Sequence, residues 1–332
     1  MAAPHDAPRH PFTSAPRILI IRRDNIGDLV CTLPIFAGLR RHYPNAHLGA
    51  LVNSYNAPLL NGNPHVDRIH IYTKSKHRPD TGLLAALRDR AALIAGLRQE
   101  HYDMALHVGR IPRAEARILV RFGGIGEQWT DDGHGTAAHE VERAYGMLAP
   151  LGLHGPPPDP RISVPPEALA RARGLLEAQG FGDAIGLHIS AREDENRWPL
   201  DHFATLIGRG AERGLRFVVF WSPGDAGRPE HPGDDARAQT LLARCQGLPV
   251  IGYPTPDLLA LATGLAAVGR VVGADGGHVH IAAAVGTSVI GLYCDHKITQ
   301  WRPWGSGHTV LHGKSVADIP VDAVLATLTN EV

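Results

Sequence analysis

Short apolar runs rich in β-branched residues alternate with longer stretches of helical periodicity along most of the chain, the pattern of parallel βαβ units. In the first half the strand-like runs are ILIIR (Ile18 to Arg22), HLGALV (His47 to Val52), RIHIY (Arg68 to Tyr72) and DMALHV (Asp103 to Val108). Helical patterns fill Leu29 to Tyr43 and Thr81 to Glu100. Pro34 falls inside the first of these, which predicts either a later start or a kink. The second half carries AIGLHIS (Ala184 to Ser190), RFVVFW (Arg216 to Trp221), LPVIGY (Leu248 to Tyr253), RVVGAD (Arg270 to Asp275) and TSVIGLY (Thr287 to Tyr293). A helix is expected after Pro199, and a closing helix over Val321 to Leu328. Between the halves lies GPPPDPRISVPP (Gly155 to Pro166), which continues neither a helix nor a central strand. The expectation is an α/β protein with a tail over 1–16, one domain over 17–155, a linker over 156–166 and a second domain over 167–332. Two doubly wound domains facing each other across a cleft would bind ligands at the carboxyl ends of their strands.

Composition narrows this reading only in places. A chain of 332 residues is long for one core, and 44% apolar with 20% charged residues is ordinary for a globular protein. No apolar run approaches the ~18 residues of a membrane span. The first 16 residues, MAAPHDAPRHPFTSAP, lack the apolar core of a signal peptide and read as a disordered tail. Cys31, Cys245 and Cys294 are scattered, without metal-ligand spacing, which points to packing roles in a reduced, cytoplasmic setting. The net charge of zero conceals an asymmetry. From Arg17 to Pro150 there are 17 Lys/Arg against 13 Asp/Glu, and from Leu151 onward 15 against 19. The first half is the better suited to an anionic partner or membrane surface, although solvated faces account for it equally.

Four segments carry candidate chemistry. In GADGGHVHIAAAVGTSVIGLY (Gly273 to Tyr293), Asp275 stands where an apolar strand stops. Gly276 and Gly277 then open the backbone to close approach, and a helix start aims free N–H groups at that point. That is the physics of a phosphate cradle; tight packing of a βα turn is the other reading. In RRDNIGDLVCTLP (Arg22 to Pro34), Asp28 either complements a helix dipole, worth ~0.3–1 kcal/mol, or acts as a general base at a strand end. Gly27 beside it leaves room for a bulky acceptor, with Arg22, Arg23 and Asn25 on the same loop. In HISAREDENRWPLDHFATLI (His188 to Ile207), Arg192 and Arg197 either neutralise a diphosphate or pair with Glu193, Asp194 and Glu195. In WSPGDAG (Trp221 to Gly227), Asp225 is placed to accept from ribose hydroxyls or is an ordinary turn aspartate. The remaining signals are negative. Gly307 precedes Gly313-Lys314-Ser315 at a spacing one residue too long for a P-loop, and Gly208-Arg209-Gly210 lies in a helical pattern. His278 and His280 lack a third ligand for zinc.

Taken in order, DNIGDLVCTLP, SAREDENRWPLDHFA and GADGGHVHIAAAVGTSVIGLY resemble the bacterial heptosyltransferases, the lipopolysaccharide core glycosyltransferases of family nine. HEVERAYGMLAPLG (His139 to Gly152) is similar to the helix that leads to the family's interdomain linker. The resemblance, from about Arg17 to the C-terminus, implies a GT-B fold and an inverting, metal-independent transfer of a sugar from a nucleotide diphosphate, typically ADP-heptose. It implies a lipid-linked core oligosaccharide as acceptor, peripheral contact with the inner membrane, no cofactor and no nucleic acid. Asp28 matches the family's base. Asp275, Gly277 and His280 match its Asp-Thr-Gly-x-x-His donor motif, and Asp225 falls where the family places an acid on the ribose. Three donor-pocket positions depart from the pattern: Gly276 stands for threonine, Asn196 for lysine with Arg197 adjacent as a substitute cation, and Ser190-Ala191 for a hydroxyl pair. A GT-B sugar-nucleotide epimerase, a protein-directed heptosyltransferase and a non-catalytic nucleotide-sugar-binding protein are the alternatives.

Overall fold

The computed structural model describes residues 15–73, 83–109, 114–131, 139–225 and 233–329. The chain divides into two compact units, Met1–Pro160 and Arg161–Val332. The expected tail falls largely on residues outside those described. Pro16, however, belongs to the fold, because its carbonyl accepts from His47 N–H at 2.9 Å.

In the N-terminal unit β1 (Arg17–Arg22), β2 (His47–Asn53), β3 (Arg68–Tyr72), β4 (Met104–His107) and β5 (Glu127–Thr130) form a sheet in the order β3-β2-β1-β4-β5. Each pairing is parallel. The helices are α1 (Ile26–His42), α2 (Leu83–Gln99), α3 (Ala114–Phe122) and α4 (Glu140–Gly146). β1 is the central strand and almost wholly buried, as a strand covered on both faces must be. α1 starts three residues earlier than its periodicity predicts and runs through Pro34. The start is set by polar residues, Asn25 at the N-cap and Asp28 in the first turn, which hydrophobic periodicity does not register.

The C-terminal unit restarts with α5 (Pro166–Ala178), where the proline-rich segment supplies Pro166 at the first helical position. Ile162 N–H already donates to the Ala284 carbonyl at 3.0 Å, so the end of that segment is docked on this unit. Then come β6 (Ile185–His188), α6 (Leu200–Ala211), β7 (Phe217–Trp221), α7 (Asp235–Arg244), β8 (Val250–Pro254), α8 (Leu258–Ala267), β9 (Arg270–Ala274), α9 (Gly277–Ala284), β10 (Ser288–Cys294), α10 (Ile298–Trp301), β11 (Thr309–Gly313) and α11 (Val321–Thr329). The sheet order is β11-β10-β9-β6-β7-β8, again all parallel. Its core packs Leu187, Phe217, Val219, Val272 and Ile290 against Phe203 and Leu206 of α6, Leu241 of α7 and Leu325 of α11.

In both sheets the first strand sits where the strand order reverses, between β2 and β4 in one and between β7 and β9 in the other. Such switch points splay the connecting loops apart at the carboxyl ends of the strands, which is where doubly wound sheets take ligands.

Candidate functional site

At the switch point of the N-terminal sheet, β1 ends in Arg22, whose side chain is only 3% exposed. The loop that follows delivers Asp28 into the first turn of α1. One oxygen of the Asp28 carboxylate accepts from Asn25 N–H at 3.1 Å and the other pairs with the Arg22 guanidinium. Arg22 also pairs with Glu140 of α4 at 2.8 Å and with Asp24 at 3.3 Å. Glu140, 2% exposed, takes a second guanidinium from Arg143 at 2.9 Å, and Arg143 in turn pairs with Asp131 beyond β5. Burial by itself would lower the Arg22 pKa; Asp28, Glu140 and Asp24 outweigh it and hold it raised. The guanidinium is therefore a fixed charge that locks the Asp28 rotamer.

Two packing details make this cluster possible. A Cβ at Gly38 of α1 would lie 2.6 Å from the Tyr145 ring, so glycine there lets α4 close on α1 and carries Glu140 to Arg22. From the end of β2, Asn53 and Asn56 donate to the Asp24 carbonyl at 2.9 and 3.3 Å, and Asn56 to the Asn25 carbonyl at 3.1 Å. These bonds pin the loop between β1 and α1. Arg23 lies over the Tyr72 ring, 3.5 Å from its centroid. Arg22 and Arg23 thus face inward to structural partners, whereas Asn25 is exposed and Gly27 half-buried.

At the C-terminal switch point, β9 gives way to Asp275, Gly276 and α9. Asp275 N–H donates to Leu292 O at 2.9 Å, which holds the turn against β10. Asn196, from the loop after β6, donates to Asp275 Oδ2 at 3.4 Å. Lys297, from the turn after β10, meets Asn196 Oδ1 at 3.1 Å, Glu193 at 3.0 Å, Glu195 at 2.5 Å and Asp275 at 3.7 Å. Burial raises the Asp275 pKa, and Glu193 adds to the rise; Lys297 and Asn196 pull the other way. His280 lies buried in the first turn of α9, its ring centroid 6.2 Å from that of Trp301.

Gly276 is extended, with φ 166° and ψ 172°, so its backbone does not demand glycine. The demand comes from His278. A Cβ at Gly276 would sit 3.1 Å from that ring and one at Gly273 2.5 Å. His278 stacks on His188 at 3.7 Å between centroids and an interplanar angle of 12°. Burial drives the His188 pKa down to about 4 against the opposing charge of Asp234. His278 falls well below its ordinary value, from burial and then from His188 and His280. Two neutral rings thus fill the space behind the turn that a threonine side chain would otherwise need.

The other sequence candidates are distributed around this centre. Ser190 Oγ accepts from Ser222 N–H at 3.1 Å, tying the ends of β6 and β7. Arg192 is exposed and has no ion pair among the described residues. Arg197 is drawn to Asp234 at 2.9 Å and Asp194 at 3.3 Å, so the cation beside Asn196 and Asp275 is Lys297. Asp225 is exposed at the end of the turn after β7, where its carbonyl accepts from Gly233 N–H at 3.0 Å. All three cysteines are buried and none is in a disulfide. Glu140, Arg143, Asp131 and Lys297 escaped the sequence reading. The segment HEVERAYG resembles the family's linker helix without marking the charges it carries, and Lys297 sits twenty-two residues beyond Asp275 with nothing local to mark it. Among the described residues, no helix is long and apolar enough to cross a membrane, and no three or more His, Cys, Asp or Glu are grouped to hold a metal ion.

Comparison with known proteins accords with this geometry. The chain is 27% identical to lipopolysaccharide heptosyltransferase 3 of Escherichia coli (strain K12) over 300 residues, which cover 84% of this chain and 82% of that protein. It is similar in fold to a glycosyltransferase family 9 structure from Veillonella parvula, with a TM-score of 0.80, 17% identity and coverage of 95% and 96% of the two chains. It is likewise similar to the E. coli heptosyltransferase WaaC with ADP, with a TM-score of 0.73, 19% identity and coverage of 95% and 100%. The fold is GT-B. Residues 131–319 match the sequence profile of glycosyltransferase family 9 (heptosyltransferase), and the chain belongs to that family.

Proposed function

We propose that this protein is an inverting glycosyltransferase that moves a heptose from ADP-heptose to a sugar hydroxyl of the lipopolysaccharide core. The observation that carries the reading is the convergence of Asp275, Asn196 and Lys297 where β9 hands over to α9, at a sheet switch point. An eight-residue helix opening with Gly276-Gly277 offers unpaired N–H groups to an anion, and Asp275 offers a carboxylate to sugar hydroxyls. Two relatives, lipopolysaccharide heptosyltransferase 3 and the heptosyltransferase WaaC with ADP, support the donor and acceptor classes.

In this reading Asp28 takes the proton of the acceptor hydroxyl. The oxygen forms its bond to the anomeric carbon as the bond from that carbon to the diphosphate oxygen breaks, and the nucleoside diphosphate leaves with the electron pair. Arg22 and Asn25 hold the Asp28 carboxylate in one orientation, so no rotamer search precedes proton transfer. The Gly276 and Gly277 amides and His280 meet the developing charge of the leaving diphosphate. Asp225 serves the ribose, and Ser190, Arg192 and Arg197 line the donor side. The N-terminal unit, with Gly27 and the more basic half of the sequence, serves the acceptor. A lipid-linked acceptor places the protein at the cytoplasmic face of the inner membrane as a peripheral protein.

The test is a thermal-shift panel of sugar nucleotides followed by product analysis with a heptose-deficient lipid core. A ligand at ~100 times its dissociation constant adds ~2.7 kcal/mol to stability, a readily visible shift. A response confined to ADP-sugars and an extended core uphold the proposal. An isomerised donor, a glycosylated protein, or donor binding without any product would replace it with an epimerase, a protein-directed transferase or a binding protein.

A further inference from the structure

We infer that Lys297 is the cation that meets the donor's diphosphate, and that it does so by exchanging Glu193 and Glu195 for phosphate oxygens. The inference deepens the donor-site reading above and rests on it. Lys297 stands at the carboxyl end of β10, next to the carboxyl end of β9, and its ammonium is 3.7 Å from Asp275. The glycine pair and the N-terminus of α9 follow Asp275 directly in sequence, so the carboxylate that Lys297 meets belongs to the residue just before the anion cradle. Asn196 occupies the position where the family resemblance places a lysine, and it turns its carbonyl oxygen to the Lys297 ammonium at 3.1 Å. The positive charge at this point therefore comes from a different strand end.

Lys297 has two kinds of partner. Asp275 and Asn196 are largely buried and stay where the sheet puts them. The side chains of Glu193 and Glu195 are 60% and 50% exposed, against 15% for Lys297. Carboxylates so exposed return to water at little cost, and a diphosphate offers the ammonium more negative charge than either of them. Glu193 and Glu195 also bring two negative charges to the mouth of a site for an anion. They repel the donor and compete with it for Lys297. A lysine suits this exchange better than an arginine, because its compact charge sits on a flexible stem with three rotatable donors.

The inference gives two substitutions opposite signs. Measured by calorimetry with ADP as probe, Lys297→Met weakens binding about tenfold to a hundredfold, as expected for a lost hydrogen bond to a charged group. The double variant Glu193→Gln/Glu195→Gln tightens ADP binding at least about twofold and makes it less sensitive to salt. If Lys297 were only a strut between the two loops, both variants would loosen the site and both would weaken ADP. Equal ADP affinity in wild type and Lys297→Met, or no tightening in the double glutamine variant, overturns the inference while leaving the donor site standing. Failure of the wild-type protein to bind ADP at all overturns the donor-site reading itself. The glutamine variant alters only exposed carboxylates, so it keeps the test decisive if Lys297→Met fails to fold.

Discussion

Substituting Asp28→Asn separates its catalytic role from its structural one. The side chain keeps its shape and loses its charge. In the native cluster both carboxylate oxygens receive a donor, Arg22 on one side and Asn25 N–H on the other. An asparagine turns its amide N–H₂ toward one of these donors and leaves it unsatisfied, a cost of about 1–3 kcal/mol. Arg22 is not stranded, because Glu140 at 2.8 Å and Asp24 at 3.3 Å still neutralise it. The variant should therefore fold with a modest drop in its urea midpoint and an unchanged ADP dissociation constant, since the ADP site is assigned to the other unit. Turnover with saturating donor and acceptor should fall by about 10²–10⁴-fold, the range expected for a lost general base. Glu140→Gln is the control. It lies between two buried guanidiniums, so neutralising it should cost about 3–5 kcal/mol of stability and reduce turnover far less than Asp28→Asn does. Turnover within threefold of wild type in Asp28→Asn, or an equal loss in Glu140→Gln, would remove Asp28 from the role of base.

Three further outcomes are expected. Asp275→Ala should weaken sugar-nucleotide binding at least about tenfold, and an unchanged dissociation constant by calorimetry would contradict its place in the donor site. His188 is neutral when folded, with a pKa near 4 against 6.5 when unfolded, so the unfolded chain gains the proton first as the pH falls. Its stabilising contribution is complete above pH 6.5 and is lost between pH 6.5 and 4, amounting to about 2 kcal/mol at pH 5. Unfolding free energies from urea titrations at pH 7.5 and 5 should differ less in His188→Phe than in wild type by that amount, and equal differences would refute the assignment. Gly276→Thr, which restores the family's motif residue, brings a Cβ to 3.1 Å from the His278 ring and should destabilise by about 1–3 kcal/mol. A midpoint at or above wild type would show that the ring yields freely.

The pattern of apolar runs was sufficient for the central strands and for the edge strands β3 and β8, and blind to the edge strands β5 and β11. β1, β2, β4, β6, β7, β9 and β10 coincide with apolar runs because burial inside a helix-covered parallel sheet leaves their sequences few polar positions, and the edge strands β3 (RIHIY) and β8 (VIGYP) show because they are rich in β-branched and aromatic residues. β5, with the sequence EQWT, and β11, with TVLHG, are edge strands half open to solvent. They carry polar residues and so lack the signature. The start of α1 was missed for a related reason. Its first turn is fixed by the capping side chains Asn25 and Asp28, and the apolar stripe begins only at Leu29.

The sequence by itself determined the two parallel α/β units, the family resemblance, and the placing of Asp28 and of Asp275 through Gly277 at strand ends, because these depend on residues close together in the chain. What only the tertiary structure decided was which charges answer one another. Glu140 reaches Arg22 across 118 positions because Gly38 admits the Tyr145 ring. Lys297 reaches Asn196 across 101 because β10 and β6 flank β9 in one sheet. Local propensity carries no record of such pairs. The order of strands in a parallel sheet brings distant loops to the same edge, and Arg197, the nearer candidate in sequence, is held by Asp234 instead.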